Sequence, residues 1–397
     1  MNFVFISPQF PSCFWNFCDR LHHEGVNVLG IGDAPYDSLR PELKAALTEY
    51  YYVYSLEDYD QVYRAMAYLA WKHGKIDWVE SNNEYWLRQD ARLREDFNIT
   101  TGPDLAQIET LTSKARMKEF YAKAGVPSAR QHRGGSFDDA KWFAGEVGYP
   151  LIAKPEVGMG ASDTFRLQND DELAQIWARP DHDRFVLEEY VTGDIYSYDA
   201  IVDSHGDPLF ENSLHFPPSM MDIVSQQLDL VYYAYADVPQ ALREAGRATV
   251  KAFGVKSRFV HLEFFRLAAD KPGLGAAGDF VGLEVNARCA GGDSPDLFNY
   301  AHATDVFQIW AEMVAYDERR LPENGMDHFC VYAGRRDGKR YILSHEDVLA
   351  KYGSLIAAHG RNSDALADDM GNEFFMAHMA SEEESLAFAA DVQRLAD

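Results

Sequence analysis

The sequence predicts a mixed α/β and α+β protein, in which an N-terminal open-sheet lobe precedes two further lobes and a small C-terminal α+β extension. Three observations favour this fold class. Residues 1–110 alternate short apolar runs with helical patterns, as an open α/β sheet does. Strand patterns joined by glycine-containing turns dominate the middle of the chain, which is typical of antiparallel sheets. A chain of 397 residues is also too long for one ordinary core.

The composition indicates a globular protein with an acidic surface. The net charge is -26, because 63 Asp and Glu residues outnumber 37 Lys and Arg residues. Such a surface repels nucleic acid and anionic membranes, so neither is expected as a partner. The sequence shows no apolar run long enough to cross a membrane, no signal-peptide pattern and no CxxC pair among its four cysteines. We therefore expect a cytoplasmic protein without a zinc site or a disulfide framework.

The N-terminal lobe is expected to be an α/β open sheet over residues 1–110. Its predicted strands are "NFVFIS", "VNVLGIG", "YYVYSL" and "IDWVES", and its predicted helices are "SCFWNFCDRLHHEG", which Gly25 ends, and two stretches near 59–73 and 84–95. The first strand-to-helix turn contains Pro8 and lacks the GxGxxG pattern, so this lobe is not expected to bind a dinucleotide.

Three further segments complete the predicted domain organisation. Residues 111–192 are expected to form a small lobe, residues 193–328 a central lobe with the metal and substrate site, and residues 329–397 the extension. The small lobe begins with a helix that Thr112 or Ser113 caps and Gly125 ends. The predicted elements of the extension are the strands "FCVYAG", "KRYILS" and "EFFMAHM" and the helix "SEEESLAFAADVQRLA".

Two strand patterns carry polar side chains at every second position. Glu263 lies in "FVHLEFF", and Glu284, Asn286 and Arg288 share one face of "LEVNAR". A symmetric hairpin between these patterns would place Glu263 opposite Glu284. Two facing carboxylates repel each other unless a cation lies between them, and Mg²⁺ is a cation that prefers oxygen ligands. Asn286 would add an oxygen ligand and Arg288 a partner for a phosphoryl oxygen, whereas a solvated strand face is the alternative.

Upstream lysines and a glycine-containing loop are candidate phosphate ligands. Lys154 ends an apolar strand and precedes "GMGAS", whose backbone N–H groups suit phosphate oxygens. Lys114 lies in the first turn of a helix, where the helix dipole disfavours a cation, so another contact is expected to hold it there. Taken alone, a single lysine at a strand end, such as Lys154, is usually solvated. The segment "VLEEYVTG" is a candidate link between two lobes, where backbone groups would suit a purine.

Five motifs in this order resemble those of the ATP-grasp superfamily, and most closely its carbamoyl-phosphate-synthase-like and L-amino-acid-ligase-like carboxylate–amine ligases. The motifs are Lys114 on a helix, "LIAKPEVGMGAS", "VLEEYVTGDIYSYD", "HLEFF" and "LEVNARCAGG". The resemblance implies a pre-ATP-grasp lobe followed by two ATP-grasp lobes that close on ATP. By this resemblance, Lys114 and Lys154 would contact the phosphates of ATP, and a loop of Gly158, Gly160, Ala161 and Ser162 would cover them. Adenine would be held by Glu188, Glu189, Tyr190 and Val191. Magnesium would be bound by Glu263, Glu284 and Asn286, and Arg288 would contact the acyl phosphate. Ile195 occupies the position where the family often has a ribose-binding Glu, and Asp194 is the candidate replacement.

The resemblance also implies a reaction. An ATP- and Mg²⁺-dependent ligase would phosphorylate an amino acid or small carboxylic acid, and an amine would then attack the acyl phosphate. Mn²⁺ is an alternative metal, and a homodimer is an alternative to a monomer. Two other outcomes stay open, a small-molecule kinase and a nucleotide-binding regulator without catalysis. Glu84, His215 and His261 are further candidates for substrate contacts, although Glu84 could instead begin a helix.

Overall fold

The computed structural model describes residues 1–158, 163–217, 227–323 and 325–396. The N-terminal lobe contains a four-stranded parallel sheet in the order β3-β2-β1-β4. Its elements are β1 (Asn2–Ile6), α1 (Trp15–His23), β2 (Asn27–Gly32), α2 (Pro41–Ala46), β3 (Glu49–Tyr52), α3 (Tyr59–His73), β4 (Trp78–Glu80) and α4 (Leu87–Asp96). Each of the four predicted strands is present, although β3 includes only the first two residues of the predicted "YYVYSL". The short helix α2 was not predicted, because six residues are too few to display a helical period.

The small lobe has a four-stranded antiparallel sheet in the order β5-β8-β6-β7. Helix α5 (Leu105–Thr112) precedes this lobe, whose elements are α6 (Lys114–Ala124), β5 (Gln131–Arg133), α7 (Phe137–Val147), β6 (Leu151–Pro155), β7 (Phe165–Leu167), α8 (Asp170–Trp177) and β8 (Phe185–Glu189). The Ser113 side chain caps α6 by accepting a hydrogen bond from the Arg116 backbone N–H, and Gly125 ends the helix with φ of 70°. Both predicted helix boundaries are confirmed.

The central lobe is built on a sheet that has nine strands within the described residues. Its elements are β9 (Gly193–Val202), β10 (Pro208–Asn212), β11 (Leu214–Phe216), β12 (Val231–Ala234), α9 (Gln240–Phe253), β13 (Arg258–Leu267), β14 (Phe280–Asn286), α10 (Ser294–His302) and α11 (Val306–Tyr316). Strands β14, β13 and β9 are neighbours at one side of this sheet. The segment between β8 and β9 joins the sheet of the small lobe to the central sheet, as predicted for "VLEEYVTG".

The hairpin of β13 and β14 carries the polar pattern that the sequence singled out. The predicted pairing of Glu263 with Glu284 is confirmed by the register. A bulge after Glu263 then shifts the register by one residue, so that Phe264 pairs with Gly282. A side chain at position 282 would bring its Cβ within 2.4 Å of the Tyr121 ring, so close packing of helix α6 on this strand requires glycine.

The C-terminal segment continues the central sheet through the strand order β12-β15-β17-β16. Its elements are β15 (Phe329–Arg335), α12 (His345–Tyr352), β16 (Ile356–Arg361), α13 (Asp364–Met370), β17 (Glu373–Met379) and α14 (Glu382–Val392). The predicted strand "KRYILS" is wrong, because this stretch contributes only an isolated bridge between Tyr341 and Leu395. The strand β16 was missed because its sequence, "IAAHGR", has few β-branched or aromatic residues.

A shared apolar core fixes the N-terminal lobe on the central lobe. Phe3, Phe5 and Phe17 belong to the same buried cluster as Phe307 and Trp310 of α11. The Phe17 ring lies 4.8 Å, centroid to centroid, from each of these two rings in edge-to-face geometry. Glu80, at the carboxyl end of β4, also lies 3.1 Å from Arg258 of β13, so the N-terminal lobe contacts the central sheet as well. None of the helices in the described parts of the chain is long and apolar enough to span a membrane.

Candidate active site

A cavity of about 370 Å³ lies between the sheet of the small lobe and the central sheet. The structure brings eleven of the predicted site residues to its wall, namely Lys114, Lys154, Glu188, Glu189, Tyr190, Val191, Asp194, Glu263, Glu284, Asn286 and Arg288. Gly158 lies beside the cavity, where its carbonyl accepts a hydrogen bond of 3.0 Å from Lys114. Gly160, Ala161 and Ser162 lie outside the described residues.

The metal-binding candidates form one oxygen-rich wall. Glu263 and Glu284 face each other across the hairpin, and Asn286 lies two residues beyond Glu284 on the same strand face. Each carboxylate already has one cationic neighbour: Lys114 Nζ is 3.0 Å from Glu284, and His261 Nε2 is 3.3 Å from Glu263. Two carboxylates and one amide oxygen are hard ligands of the kind Mg²⁺ prefers. The donor set therefore fits a magnesium ion.

Arg288 lies at the end of this wall, two residues beyond Asn286, and contacts the N-terminal lobe. Its Nε lies 3.3 Å from Glu84 Oε2, and its Nη1 donates a 2.8 Å hydrogen bond to the Cys289 carbonyl. Glu84 follows β4 and begins a short 3-10 turn, as one of its two sequence interpretations had it, whereas its contact with a substrate stays a prediction. Burial raises the pKa of Glu84, and the positive charge of Arg288 opposes that rise. The N-terminal lobe thus supplies a carboxylate that orients the guanidinium of Arg288.

Glu80, a second carboxylate of the N-terminal lobe, contacts the residues that follow β14 through Arg258. Arg258 Nε donates a 2.7 Å hydrogen bond to the carbonyl of Ala287, the residue just before Arg288. Glu80 Oε2 lies 3.1 Å from Arg258 Nη2 and 3.0 Å from Arg94 Nη2. Burial alone would raise the pKa of Glu80, but the two arginines outweigh it and lower that pKa. This buried cluster was not predicted, because no local pattern joins residues so far apart in sequence.

The small lobe contributes the cations. Lys154 Nζ lies 2.7 Å from Glu188 Oε2, and Lys118 Nζ lies 2.9 Å from Glu188 Oε1. Burial would raise the pKa of Glu188, but Lys118 and Lys154 outweigh it and lower that pKa to about 2. Lys118 also lines the cavity and was missed. Its signal was present, because it follows Lys114 by four residues and so lies on the same face of helix α6.

The segment that links the two sheets is held by basic side chains. Arg130 Nη2 lies 2.7 Å from Glu189 Oε2, and Lys271 Nζ donates a 2.8 Å hydrogen bond to the Tyr190 carbonyl. Gly193 follows, and a Cβ there would lie 2.1 Å from the Arg266 carbonyl oxygen, so the two strands approach too closely for a side chain. The adjacent Asp194 side chain is 61% exposed and lines the cavity.

The two histidines that were candidates for substrate contacts, His215 and His261, are not among the residues that line the cavity. His261 Nδ1 lies 2.7 Å from Asp199, a buried residue. Burial would lower the pKa of His261, but Asp199 and Glu263 outweigh it and raise that pKa to about 9. His261 is therefore a charged neighbour of Glu263. Cys289 is buried, and burial raises the pKa of its thiol to about 12.

Comparison with curated proteins gives remote relatives, and no family model matches the sequence. The chain is 22% identical over 287 residues to the L-arginine-specific L-amino acid ligase of Bacillus subtilis, an alignment that covers 70% of this chain and 67% of the ligase. It is 38% identical over 88 residues to the 2-oxoglutarate carboxylase small subunit of Hydrogenobacter thermophilus. That match covers 21% of this chain and only 19% of the subunit, so it spans about a fifth of that relative.

Comparison with solved structures extends over nearly the whole chain. The L-amino acid ligase from Bacillus licheniformis superposes with a TM-score of 0.72 at 16% sequence identity, over 98% of this chain and 96% of the ligase. The chain has the ATP-grasp fold. The biotin carboxylase domain of the Hydrogenobacter thermophilus 2-oxoglutarate carboxylase superposes with a TM-score of 0.69 at 18% identity, over 98% and 89% of the two chains. The predicted ATP-grasp fold and the predicted resemblance to carboxylate–amine ligases are confirmed. In this fold, the cavity lies where the small and central lobes meet.

Proposed function

We propose that this protein is an ATP- and magnesium-dependent ligase that joins a carboxylate to an amine through an acyl phosphate. The observation that carries the proposal is the composition of the cavity wall: Glu263, Glu284, Asn286 and Arg288 share one side of the cavity. Lys154 lies on the opposite side, on the small-lobe sheet. Hard oxygen ligands and lysines that face each other across a cleft are the parts that phosphoryl transfer from a nucleotide requires.

The ATP would lie along the cavity from the linking segment to the hairpin. The segment Glu188–Val191 would hold adenine, and Asp194 would meet the ribose. Lys114 and Lys154 would contact the phosphates, and the loop from Gly158 to Ser162 would cover them. Glu263, Glu284 and Asn286 would hold Mg²⁺, with Mn²⁺ as an alternative; the ion would neutralise phosphate charge during transfer.

Arg288 would act on the reacting group. A carboxylate oxygen of the first substrate attacks the γ-phosphorus of ATP, the bond to the β-phosphate oxygen breaks, and ADP leaves. The substrate amine then attacks the acyl carbon, inorganic phosphate leaves with the former carboxylate oxygen, and the amine loses a proton. Arg288, aligned by Glu84, is placed to stabilise the negative charge of the phosphoryl oxygens. This chemistry needs positioning and charge neutralisation rather than a nucleophilic side chain.

The relatives support an amino acid as the carboxylate. One relative is the L-arginine-specific L-amino acid ligase of Bacillus subtilis. Another is the alanine–anticapsin ligase of Bacillus subtilis, 22% identical over 293 residues that make up 63% of this chain and 57% of the relative. The Hydrogenobacter thermophilus domain binds MgADP and bicarbonate, and it is a dimer. We extend small-molecule substrates and the ATP and Mg²⁺ requirement to this protein; a homodimer is the corresponding proposal for its assembly.

A screen for ADP release tests this function. The purified protein is incubated with ATP and Mg²⁺ and with amino acids, singly and in pairs, and ADP and phosphate are measured. A ligase releases ADP only when a carboxylate and an amine acceptor are both present, and a condensed product appears in equal amount. ADP release with one acceptor and a stable phosphorylated product would identify a kinase instead. Nucleotide binding without turnover across the whole panel would favour a regulator.

A further inference from the structure

A second cavity, of about 390 Å³, lies between the N-terminal part of the chain and the central lobe, and we call it the junction cavity. One side consists of residues from the stretch 100–111, which leads from the N-terminal sheet into helix α5. The other side consists of Ser204 and residues 253–258, where α9 ends and β13 begins. Within the described parts of the chain, the junction cavity shares no lining residue with the candidate active site. Its volume is in the range of cavities that hold small molecules.

The described walls of the junction cavity carry two cations and no acidic side chain. Lys256 and Arg258 line it, although acidic residues outnumber basic ones by 63 to 37 in this chain. The exposed Lys256 ammonium has no ion pair or hydrogen bond with any residue that the structure describes. A third cavity, of about 440 Å³, differs, because the three arginines of its described lining are accompanied by four acidic side chains. Cations without counter-ions in a cavity favour an anionic ligand.

Arg258 adds a positive charge that solvent screens weakly, because its side chain is 2% exposed. Its Nη1 has no hydrogen-bond partner among the described residues. Its Nη2 lies 3.1 Å from Glu80, but Glu80 is shared with the buried Arg94. Burial and the charge of Glu80 raise the pKa of Asp90, the other carboxyl group of this cluster, to about 7, so only part of the Asp90 population is charged near neutral pH. The cluster beside the junction cavity therefore keeps a net positive charge.

Hydroxyl groups near the lysine add hydrogen-bond donors. Thr100 and Ser257 line the junction cavity, and neither hydroxyl has a partner in the described parts of the chain. The backbone of Ser257 has a φ of 49°, in the left-handed region that serine seldom adopts. A 2.8 Å hydrogen bond from the Ser257 N–H to the Asp203 carbonyl holds this conformation. Backbone strain of this kind is common where a chain contacts a ligand.

Apolar side chains form another part of the walls. Leu111, Phe253 and Val255 line the junction cavity, and all three are buried. They come from both sides of the cavity, so a ligand with an apolar body would contact both. A ligand that matches these walls therefore has an anionic group and an apolar body.

We propose that the junction cavity binds a small organic anion, with its carboxylate or phosphate group at Lys256 and Ser257 and its apolar body against Phe253. Carboxylate and phosphate groups share the oxygen acceptors that an ammonium and a hydroxyl bind. Arg258 strengthens the attraction from behind this wall, because its charge is buried. The bound anion would contact both the 100–111 stretch and the central lobe, and so stabilise their contact.

Calorimetry in the absence of nucleotide tests the site with three probes, namely phenyl phosphate, benzoate and benzyl alcohol. The first two carry an anionic group on an aromatic ring, and benzyl alcohol carries a similar ring without charge. We expect the wild type to bind at least one of the two anions about tenfold or more tightly than benzyl alcohol, because hydrogen bonds to charged groups are the stronger ones. The tighter of the two anions identifies the preferred anionic group.

Variants locate the bound anion, and thermal melts show that each variant is folded. Lys256→Gln should weaken anion binding about tenfold, as loss of a hydrogen bond between charged groups predicts. Ser257→Gly removes the hydroxyl and keeps the left-handed backbone, which glycine adopts readily, and should weaken binding about threefold. The matched control is Lys251→Gln, a lysine of α9 that pairs with Asp207 and does not line the cavity; it should bind as the wild type does. Lys154→Met, in the candidate active site, should also leave anion binding unchanged.

An anion affinity that Lys256→Gln leaves unchanged would overturn the proposal. Binding that Lys154→Met weakens and Lys256→Gln does not would also overturn it, because the anion would then lie in the candidate active site. Benzyl alcohol binding as tightly as both anions, or no measurable heat with any probe at millimolar concentration, would contradict anion recognition. Each of these results leaves the ligase assignment intact, since the ADP screen tests that assignment separately.

Discussion

Two sides of the cavity in the candidate active site carry opposite excesses of charge. The small-lobe wall contains the lysines of α6 and β6, and the hairpin wall contains Glu263, Glu284, Asn286 and Arg288. On the small-lobe side, Lys114, Lys118 and Lys154 are accompanied by the carboxylates of Glu188 and Glu189, and Glu189 is paired with Arg130. On the hairpin side, Glu263 and Glu284 face each other, and Lys114 reaches across from helix α6 to Glu284. The first wall suits phosphate groups, and the second suits a divalent cation.

This difference in charge indicates that the two walls have different roles. The lysine wall is expected to hold the nucleotide in its ground state, so damage there should appear mainly as weaker binding. The hairpin wall is expected to act on the charge that develops during transfer, so damage there should appear mainly in kcat. Four substitutions test this division of roles, and they follow in decreasing order of expected effect.

Glu284→Gln should have the largest effect, because it removes one of the two facing carboxylates. We expect kcat to fall by about 10³-fold or more, since the charge stabilisation that a bound metal provides is worth several kcal/mol. The measurement is steady-state ADP release, with a thermal melt to show that the variant is folded. Glu244→Gln, on the exposed face of α9, is the control and should be unaffected. Turnover by the wild type in excess chelator, or an unimpaired Glu284→Gln, would contradict the metal site.

Arg288→Ala should lower kcat by about 10²-fold, as the loss of one charge-stabilising donor does. ATP affinity should stay near the wild-type value, because the guanidinium acts on the reacting phosphoryl group and not on the bound nucleotide. Kinetics and calorimetry on the same variant measure the two quantities. Arg116→Ala removes an exposed arginine of helix α6 and is the matched control. If Arg288 formed only a surface ion pair, worth about 0–1 kcal/mol, its removal would leave kcat nearly unchanged. That result would mean that Arg288 has no role in the chemistry.

Lys154→Met should weaken ATP binding by about tenfold, because hydrogen bonds to charged groups contribute on the order of 1.5–3 kcal/mol. The effect on kcat at saturating ATP should be smaller than the effect on affinity. Calorimetry with ATP gives the dissociation constant directly. Lys123→Met removes a lysine from the far end of helix α6 and should bind as the wild type does. Equal affinities of Lys154→Met and the wild type would remove Lys154 from the nucleotide site.

The smallest effect concerns the pH dependence of stability at Glu188. Its pKa of about 2 in the folded protein lies below the usual 4.5, so the folded state binds this proton less readily than the unfolded state does. The resulting stabilisation is fully present above pH 4.5 and is lost as the pH falls toward 2, by at most about 1.4 kcal/mol per pH unit. Denaturant unfolding of the wild type and of Glu188→Gln between pH 5 and pH 3 measures it. The advantage of the wild type should shrink with falling pH, and a constant difference would show that the lysine pairs do not lower this pKa.

The sequence predicted the hairpin wall better than the rest of the site, for a physical reason. Strand alternation and a turn place Glu263 opposite Glu284 through local geometry alone. Arg258 reaches Glu80, and His215 reaches Glu382, only after separate lobes and distant strands have packed together. Those contacts depend on packing that no sequence period records. Lys118 is the intermediate case, since its helical spacing from Lys114 was visible in the sequence and was overlooked.

An isotope experiment tests whether ATP activates the carboxylate by phosphorylation. The carboxylate substrate found in the ADP screen is labelled with ¹⁸O in its carboxyl group and ligated to the amine by the wild-type protein. Transfer through an acyl phosphate moves one labelled oxygen into the inorganic phosphate that is released, so mass spectrometry should find one ¹⁸O per phosphate. Unlabelled phosphate, formed at the same rate as the ligated product, would contradict the account.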